Sequence, residues 1–147
     1  MSKTIRTKIV LALALLTIVS SLGRAVNSPA DQSNPPIWAV KGEVLVTNRL
    51  DIDFSKYMVT FIELGADRCI PCKKMQPIMK EIAAAFPDRV QVVFYDVWKD
   101  PEPARKYQIQ LIPTQVFVDQ KGNEVFRHVG LFPKEEILEL LKKHGVH

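Results

Sequence analysis

Cysteine is nearly missing from this chain: there are two in 147 residues, with only three histidines beside them. A structural zinc site needs four ligands, so it would have to recruit His128, His144 or His147. The last two sit at the extreme C-terminus, spaced more tightly than a zinc-finger pair. Acidic residues are missing from the first 25 positions, where Lys3, Arg6, Lys8 and Arg24 fall. Those four account for the formal net charge of +4, and the remainder carries sixteen residues of each sign. There is therefore no basic footprint for nucleic acid. An apolar run of the ~20 residues that a spanning helix needs is missing as well.

What stands at the N-terminus is a basic start followed by an apolar stretch, Ile9 to Val19, and a small-residue region ending at Ala25. This pattern predicts an export signal over 1–25, with Gly23, Ala25, Ser28 and Ala30 acceptable around a cleavage point. An uncleaved membrane anchor is the alternative. No cysteine follows the apolar run, which argues against a lipid-modified bacterial N-terminus. Residues 26–36 are rich in Asn, Ser, Pro, Asp and Gln and read as a linker. The remainder, 37–147, suits a single domain with its own core. In an oxidising compartment stray thiols would mispair. A chain exported with only one adjacent pair of cysteines keeps that pair to react.

The pair is Cys69-Ile70-Pro71-Cys72. It follows the apolar run Val59 to Leu64 and opens an amphipathic run from Lys73 to Phe86, so a strand leads into a helix N-terminus. First-turn N–H groups there lack intrahelical partners and carry the positive end of the macrodipole, which favours thiolate over thiol. The spacing makes Cys69 the attacking sulfur and Cys72 the one that resolves a mixed disulfide from one turn deeper. A purely structural staple is the competing reading. It would close so short a loop that the chain-entropy gain is small.

The rest alternates. Val44 to Val46 reads as an edge strand, and 48–56 as a short helix or loop. Val59 to Leu64 is apolar at both parities, as in a strand covered on two faces. Met75, Ile78, Met79, Ile82, Ala83 and Phe86 form one helical stripe interrupted by Pro77. Val90 to Val97 reads as a buried strand, and Asp100 to Tyr107 as a short proline-started helix. Thr114 to Asp119 and Glu124 to Val129 flank a Gly-containing hairpin loop. Lys134 to Lys143 closes as a helix with Gly145 beyond its end. The order predicts an α/β fold, a mixed sheet with helices on both faces. Glu63 shares strand parity with Val59 and Phe61, so its carboxylate falls on a core face where burial raises its pKa.

These positions together resemble the thioredoxin superfamily over roughly 37–145. Cys69-Ile70-Pro71-Cys72-Lys73 resembles the redox motif, Pro77 the helix-kinking proline, Ile112-Pro113-Thr114 the loop whose proline is cis, and Gly130 the glycine ending the last strand. The resemblance implies a thioredoxin fold and a thiol-disulfide oxidoreductase with no cofactor beyond its own redox disulfide. It further implies that Glu63 is the general base for Cys72, and that Arg68, Ile70, Pro71, Ile112 and Pro113 meet the substrate. There the Ile112 backbone would pair with a substrate strand.

The chain also departs from that pattern. Arg68 and Gly65 stand where the family usually has tryptophans, which reduces the apolar docking surface. Phe94 falls near the position of the lysine that normally accompanies the buried acid. Arg68 favours the Cys69 thiolate, with Asp67 beside it partly cancelling its field. Pro71, with neither charge nor N–H before the second cysteine, resembles the reducing branches. The sequence expectation is an exported, periplasmic monomer that reduces disulfides in extracytoplasmic proteins and binds no nucleic acid. Apocytochrome c is a client by resemblance, and a membrane thiol electron-transfer protein is the donor. The rivals are a disulfide-forming oxidase or isomerase of the same fold, and a non-catalytic docking or chaperone module.

Overall fold

A computed structural model describes residues 41–147. The signal segment expected over 1–25 and the linker over 26–36 lie outside the described residues. Among the described residues no helix is long and apolar enough to cross a membrane.

Five strands form one mixed sheet in the order β1-β3-β2-β4-β5. Its strands are β1 (Val44–Val46), β2 (Val59–Gly65), β3 (Val90–Asp96), β4 (Thr114–Asp119) and β5 (Glu124–Val129). The helices are α1 (Ile70–Ala85), α2 (Glu102–Lys106) and α3 (Lys134–Lys143). β3 runs parallel to both β1 and β2, and β4 runs antiparallel to β2 and β5. The central strands β2 and β3 are buried at every position, which is why neither shows an alternating pattern in sequence.

The two sheet faces carry different covers. On one, Val59, Phe61, Val92, Phe94 and Phe117 pack with Met75, Met79 and Ile82 of α1 and Ile137 and Leu141 of α3. On the other, Ile62, Leu64, Val93, Tyr95, Val116 and Val118 pack under Ala104 of α2 and Tyr107 just past its end. Leu50, Ile52 and Phe54 from the segment after β1 complete that second cover. The segment is largely irregular, with a single 3-10 turn at Phe54–Lys56 capped by Asp53. A row of aromatics organises the first face: Phe61 stacks on Phe117 at 4.8 Å between ring centroids, and Phe117 meets Phe132 edge-on at 6.1 Å.

Turn chemistry fixes the connections. The β4–β5 loop is held by Asp119, whose carboxylate accepts from the Lys121 and Asn123 N–H groups at 2.8 Å, while Gly122 takes a positive φ of 85°. Pro77 lies inside α1, where it removes one backbone donor.

Phe117 is fully buried and meets three rings, those of Phe61, Phe126 and Phe132. Phe117→Ala is therefore expected to cost about 3–5 kcal/mol of unfolding free energy. Urea unfolding of the two proteins checks this, and a loss below about 1 kcal/mol would show that the aromatic row is not a structural pivot.

Candidate active site

β2 ends at Gly65, and Ala66 to Arg68 carry the chain into α1, with Cys69 as its N-cap residue. The Cys69 backbone is extended (φ −77°, ψ 117°), and its Sγ accepts a hydrogen bond from the Cys72 N–H at 3.3 Å. An N-cap side chain normally accepts from the second or third residue of the helix. Pro71 occupies the second position and has no N–H, so the cap rests on Cys72 alone. The two cysteines are joined as a disulfide, with Cα atoms 5.2 Å apart. Cys69 is 8 % exposed and Cys72 0 %, so a second protein's sulfur can approach only the first.

The Ile112–Pro113 peptide bond is cis. Ile112 packs against the buried cluster of Ala66, Cys69 and Cys72. This loop is pinned on both sides: the Thr114 hydroxyl donates to Leu111 O at 2.6 Å, and the Gly130 N–H donates to Pro113 O at 2.8 Å. Ile70 and Leu111 are exposed beside it. The structure thus brings together Cys69, Ile70, Pro71, Cys72, Ile112 and Pro113.

Arg68 is exposed at the edge of this group. Asp67, expected from sequence partly to cancel the field of Arg68, pairs with Lys99. Lys99 also reaches Asp96 at 3.2 Å. Burial works against the Asp96 charge, but the Lys99 side chain and the N–H groups of Asp67, Trp98 and Lys99 hold its carboxyl below the usual carboxylate range. Trp98, which the sequence reading passed over, is exposed and lines one shallow cleft with Arg68, Asp67, Asp96 and Lys99. An indole is therefore present at this rim, supplied from the end of β3.

Glu63 is fully buried in the middle of the sheet. Its register neighbours are Phe94 on β3 and Gln115 on β4, so the residue beside the acid is an aromatic ring and no lysine. Burial raises its pKa to about 8, opposed by a hydrogen bond from Gln115. The Gln115 amide Nε2 donates to Glu63 Oε2 at 2.9 Å and to Gly130 O at 3.0 Å. Glu63 Oε1 is buried without a hydrogen-bond partner.

Gly65 connects this acid to the sulfurs. A Cβ built on Gly65 would lie 3.3 Å from Cys72 Sγ and 3.1 Å from the Phe94 ring. Glu63 is two residues back on the same strand face, about 7 Å away along β2. Any larger residue at Gly65 would crowd Cys72 or displace the Phe94 ring. The arrangement offers an approachable sulfur, a buried partner sulfur and a buried acid on one face. Sequence reasoning missed Gln115. Its signal was a polar residue at the core parity of β4, two positions before Phe117.

Among the described residues no cluster of His, Cys, Asp and Glu suits a metal ion. Residues 45–143 match the family described as Thioredoxin. Thioredoxin of Staphylococcus aureus is 35% identical over 97 residues, covering 64% of this chain and 92% of its own. Among solved structures, a mutant thioredoxin from Halobacterium salinarum superposes with a TM-score of 0.64 at 26% identity, covering 72% of this chain and 94% of that one. Thioredoxin NaTrxh from Nicotiana alata gives 0.61 at 30% identity, covering 71% and 95%.

The Glu63 environment sets a pH dependence of stability. Between pH 4.5, the ordinary value, and about 8, the unfolded chain is ionised at this residue while the folded protein keeps the proton. Stability from this group is therefore complete below pH 4.5, falls by about 1.4 kcal/mol per unit as pH rises, and levels off above 8. Glu63→Gln should be close to the parent at low pH, clearly more stable above the folded-state value, and flatter between. Urea unfolding of both proteins across that range checks it, and parallel curves would refute the assignment.

Proposed function

The chain belongs to the thioredoxin family and is a thiol-disulfide oxidoreductase, and from that premise we propose that it works outside the cytoplasm as a reductant of protein disulfides. The observation that carries the exchange chemistry is the asymmetry of the pair: Cys69, 8 % exposed at the helix N-cap, is the sulfur a substrate can reach, while Cys72 is sealed beneath it.

In the reduced protein the Cys69 thiolate attacks one sulfur of a substrate disulfide. The other substrate sulfur leaves as a thiolate, and a Cys69–substrate disulfide remains. Cys72 gives its proton to the ionised fraction of Glu63 and attacks Cys69 Sγ, which releases the second substrate sulfur and closes the Cys69–Cys72 disulfide. Two electrons pass to the substrate. Glu63 is the group on this face that can hold that proton, since burial keeps its carboxyl titrating near neutrality. Ile112 and Pro113 offer backbone to an extended substrate segment, and Ile70, Pro71 and Arg68 flank the point of attack.

The leader-like residues 1–25 support export. An exported reductant must be recharged, which calls for a membrane thiol carrier as donor. Disulfide-bearing extracytoplasmic proteins are its clients, apocytochrome c among them by family likeness. The protein acts as a monomer with no cofactor beyond the disulfide.

Three measurements test this on protein lacking residues 1–25. Cys69→Ser should abolish dithiol-dependent insulin reduction, and Cys72→Ser should accumulate mixed disulfides, visible as a mass increase that dithiothreitol removes. Retained turnover in Cys69→Ser would end the mechanism. A reduction potential near about −270 mV is expected, and a value near about −120 mV would reassign the protein as an oxidase.

A further inference from the structure

Gln115 has no assigned part in the chemistry described so far, yet it is fully buried and polar. It stands directly across from Glu63 in the β2–β4 register. Both partners of its amide nitrogen, Glu63 Oε2 at 2.9 Å and Gly130 O at 3.0 Å, are acceptors, so the NH2 end must face them and each hydrogen is used once. The two Glu63 oxygens are thereby made unequal. Oε2 is held as an acceptor, while Oε1 has no hydrogen-bond partner. A proton arriving at the carboxyl therefore belongs on Oε1.

We infer that Gln115 is a positioning residue for resolution of the mixed disulfide, fixing Glu63 through Oε2 so that the proton leaving Cys72 is taken up on Oε1. The same amide ties the acid to Gly130, whose N–H holds the Pro113 carbonyl, so the proton acceptor and the substrate-facing loop share one anchor. The inference rests on the reading of Glu63 as the base for Cys72. On the elements packed against this face, the nearest titratable groups are Cys72 on α1, Asp96 on β3 and His128 on β5; Asp96 pairs with Gly65, two residues past Phe94, and its carboxylate is held by Lys99. His128 pairs with Gln115, not with Glu63, two strands or about 10 Å from the acid, and its ring stacks on Phe132 at 4.3 Å. The charged residues of α1 and α3 are exposed, apart from the half-buried Lys134, which pairs with Glu81. Gln115 is thus the hydrogen-bond donor that Glu63 has, and it favours the ionised carboxyl.

The test mixes reduced protein with Ellman's reagent from about pH 5 to about pH 10. The first thionitrobenzoate released reports attack by Cys69, and the second reports resolution by Cys72. In Gln115→Met, of similar volume and without a donor, the inflection of the second phase should move up by about one pH unit. Relative to the first phase, the second should slow by about three- to tenfold near neutral pH and converge on the parent at high pH. Gln115→Leu serves as the second variant where Met folds poorly. Glu63→Gln should lose the inflection. If Glu63→Gln loses it but both Gln115 variants keep the parent profile, the role of Gln115 is refuted and that of Glu63 stands. An equal slowing at every pH would also refute it, since that is what a purely structural residue gives. A parent-like profile in Glu63→Gln would refute the reading of Glu63 itself.

Discussion

Everything at this site depends on where β2 stops. The strand is buried on both faces and bonded to neighbours on both sides, so it has no freedom to slip. Its C-terminal end therefore delivers Ala66 to Cys69 to a fixed place over the sheet. A one-residue change of register would turn Glu63 and Gly65 to the opposite face. α1 is bound to the same frame through Met75, Met79 and Ile82, and its N-terminus is then aimed at the strand end. The cysteines need no dedicated scaffold of their own, because the junction of a locked strand with a packed helix already fixes one sulfur outside and one within.

The second dependence is electrostatic. A carboxylate in the middle of a sheet works against folding at neutral pH, and the aromatic row beside it does nothing to solvate it. Phe94 occupies the neighbouring register position, and its ring closes on the space above Gly65. An amide, Gln115, answers the acid in place of a cation. The difference is one of degree and of consequence: a buried cation would lock the carboxylate in its charged form, whereas an amide leaves it able to exchange a proton near neutrality. Glycine at 65 belongs to the same solution, since the bulk that Phe94 contributes is bulk that residue 65 cannot have.

Much of this was legible in the chain. Each regular element fell at or within a few residues of its expected place, because buried stripes, proline starts and the Asp-to-Asn hairpin loop are local signals. The cysteine motif and the core-facing glutamate were legible for the same reason, and the cis proline only through the family resemblance. What could not be read was pairing across the sheet. Phe94, 31 positions from Glu63, was placed near the acid only through the family resemblance, and Gln115, 52 positions away, was missed, because strand parity gives only a face, never the partner on the next strand. Trp98 was hidden differently. It lies just past the end of β3, where no periodicity applies, and only the return of the chain beside Arg68 gives it a place at the rim. The partner of Asp67 was hidden for a related reason: Lys99, brought back by the turn after β3, reaches it from 32 positions away.

The direction of electron flow follows from how strongly the site holds a thiolate, because stabilising the reduced form is what makes a dithiol oxidising. Two features act on Cys69 in opposite senses. Arg68 adds a positive charge, but it stands in solvent, where water and salt screen it. Pro71 subtracts a backbone donor from the cap, and that loss cannot be screened, because the missing N–H would have lain at the contact itself. With the Cys72 N–H as the one backbone donor to Cys69 Sγ, the thiolate has a single short-range donor and a distant charge. The short-range deficit outweighs the screened attraction. On the reading proposed above, that balance is what would make the dithiol a reductant, with position 71, between the cysteines, weighing more than the arginine outside them.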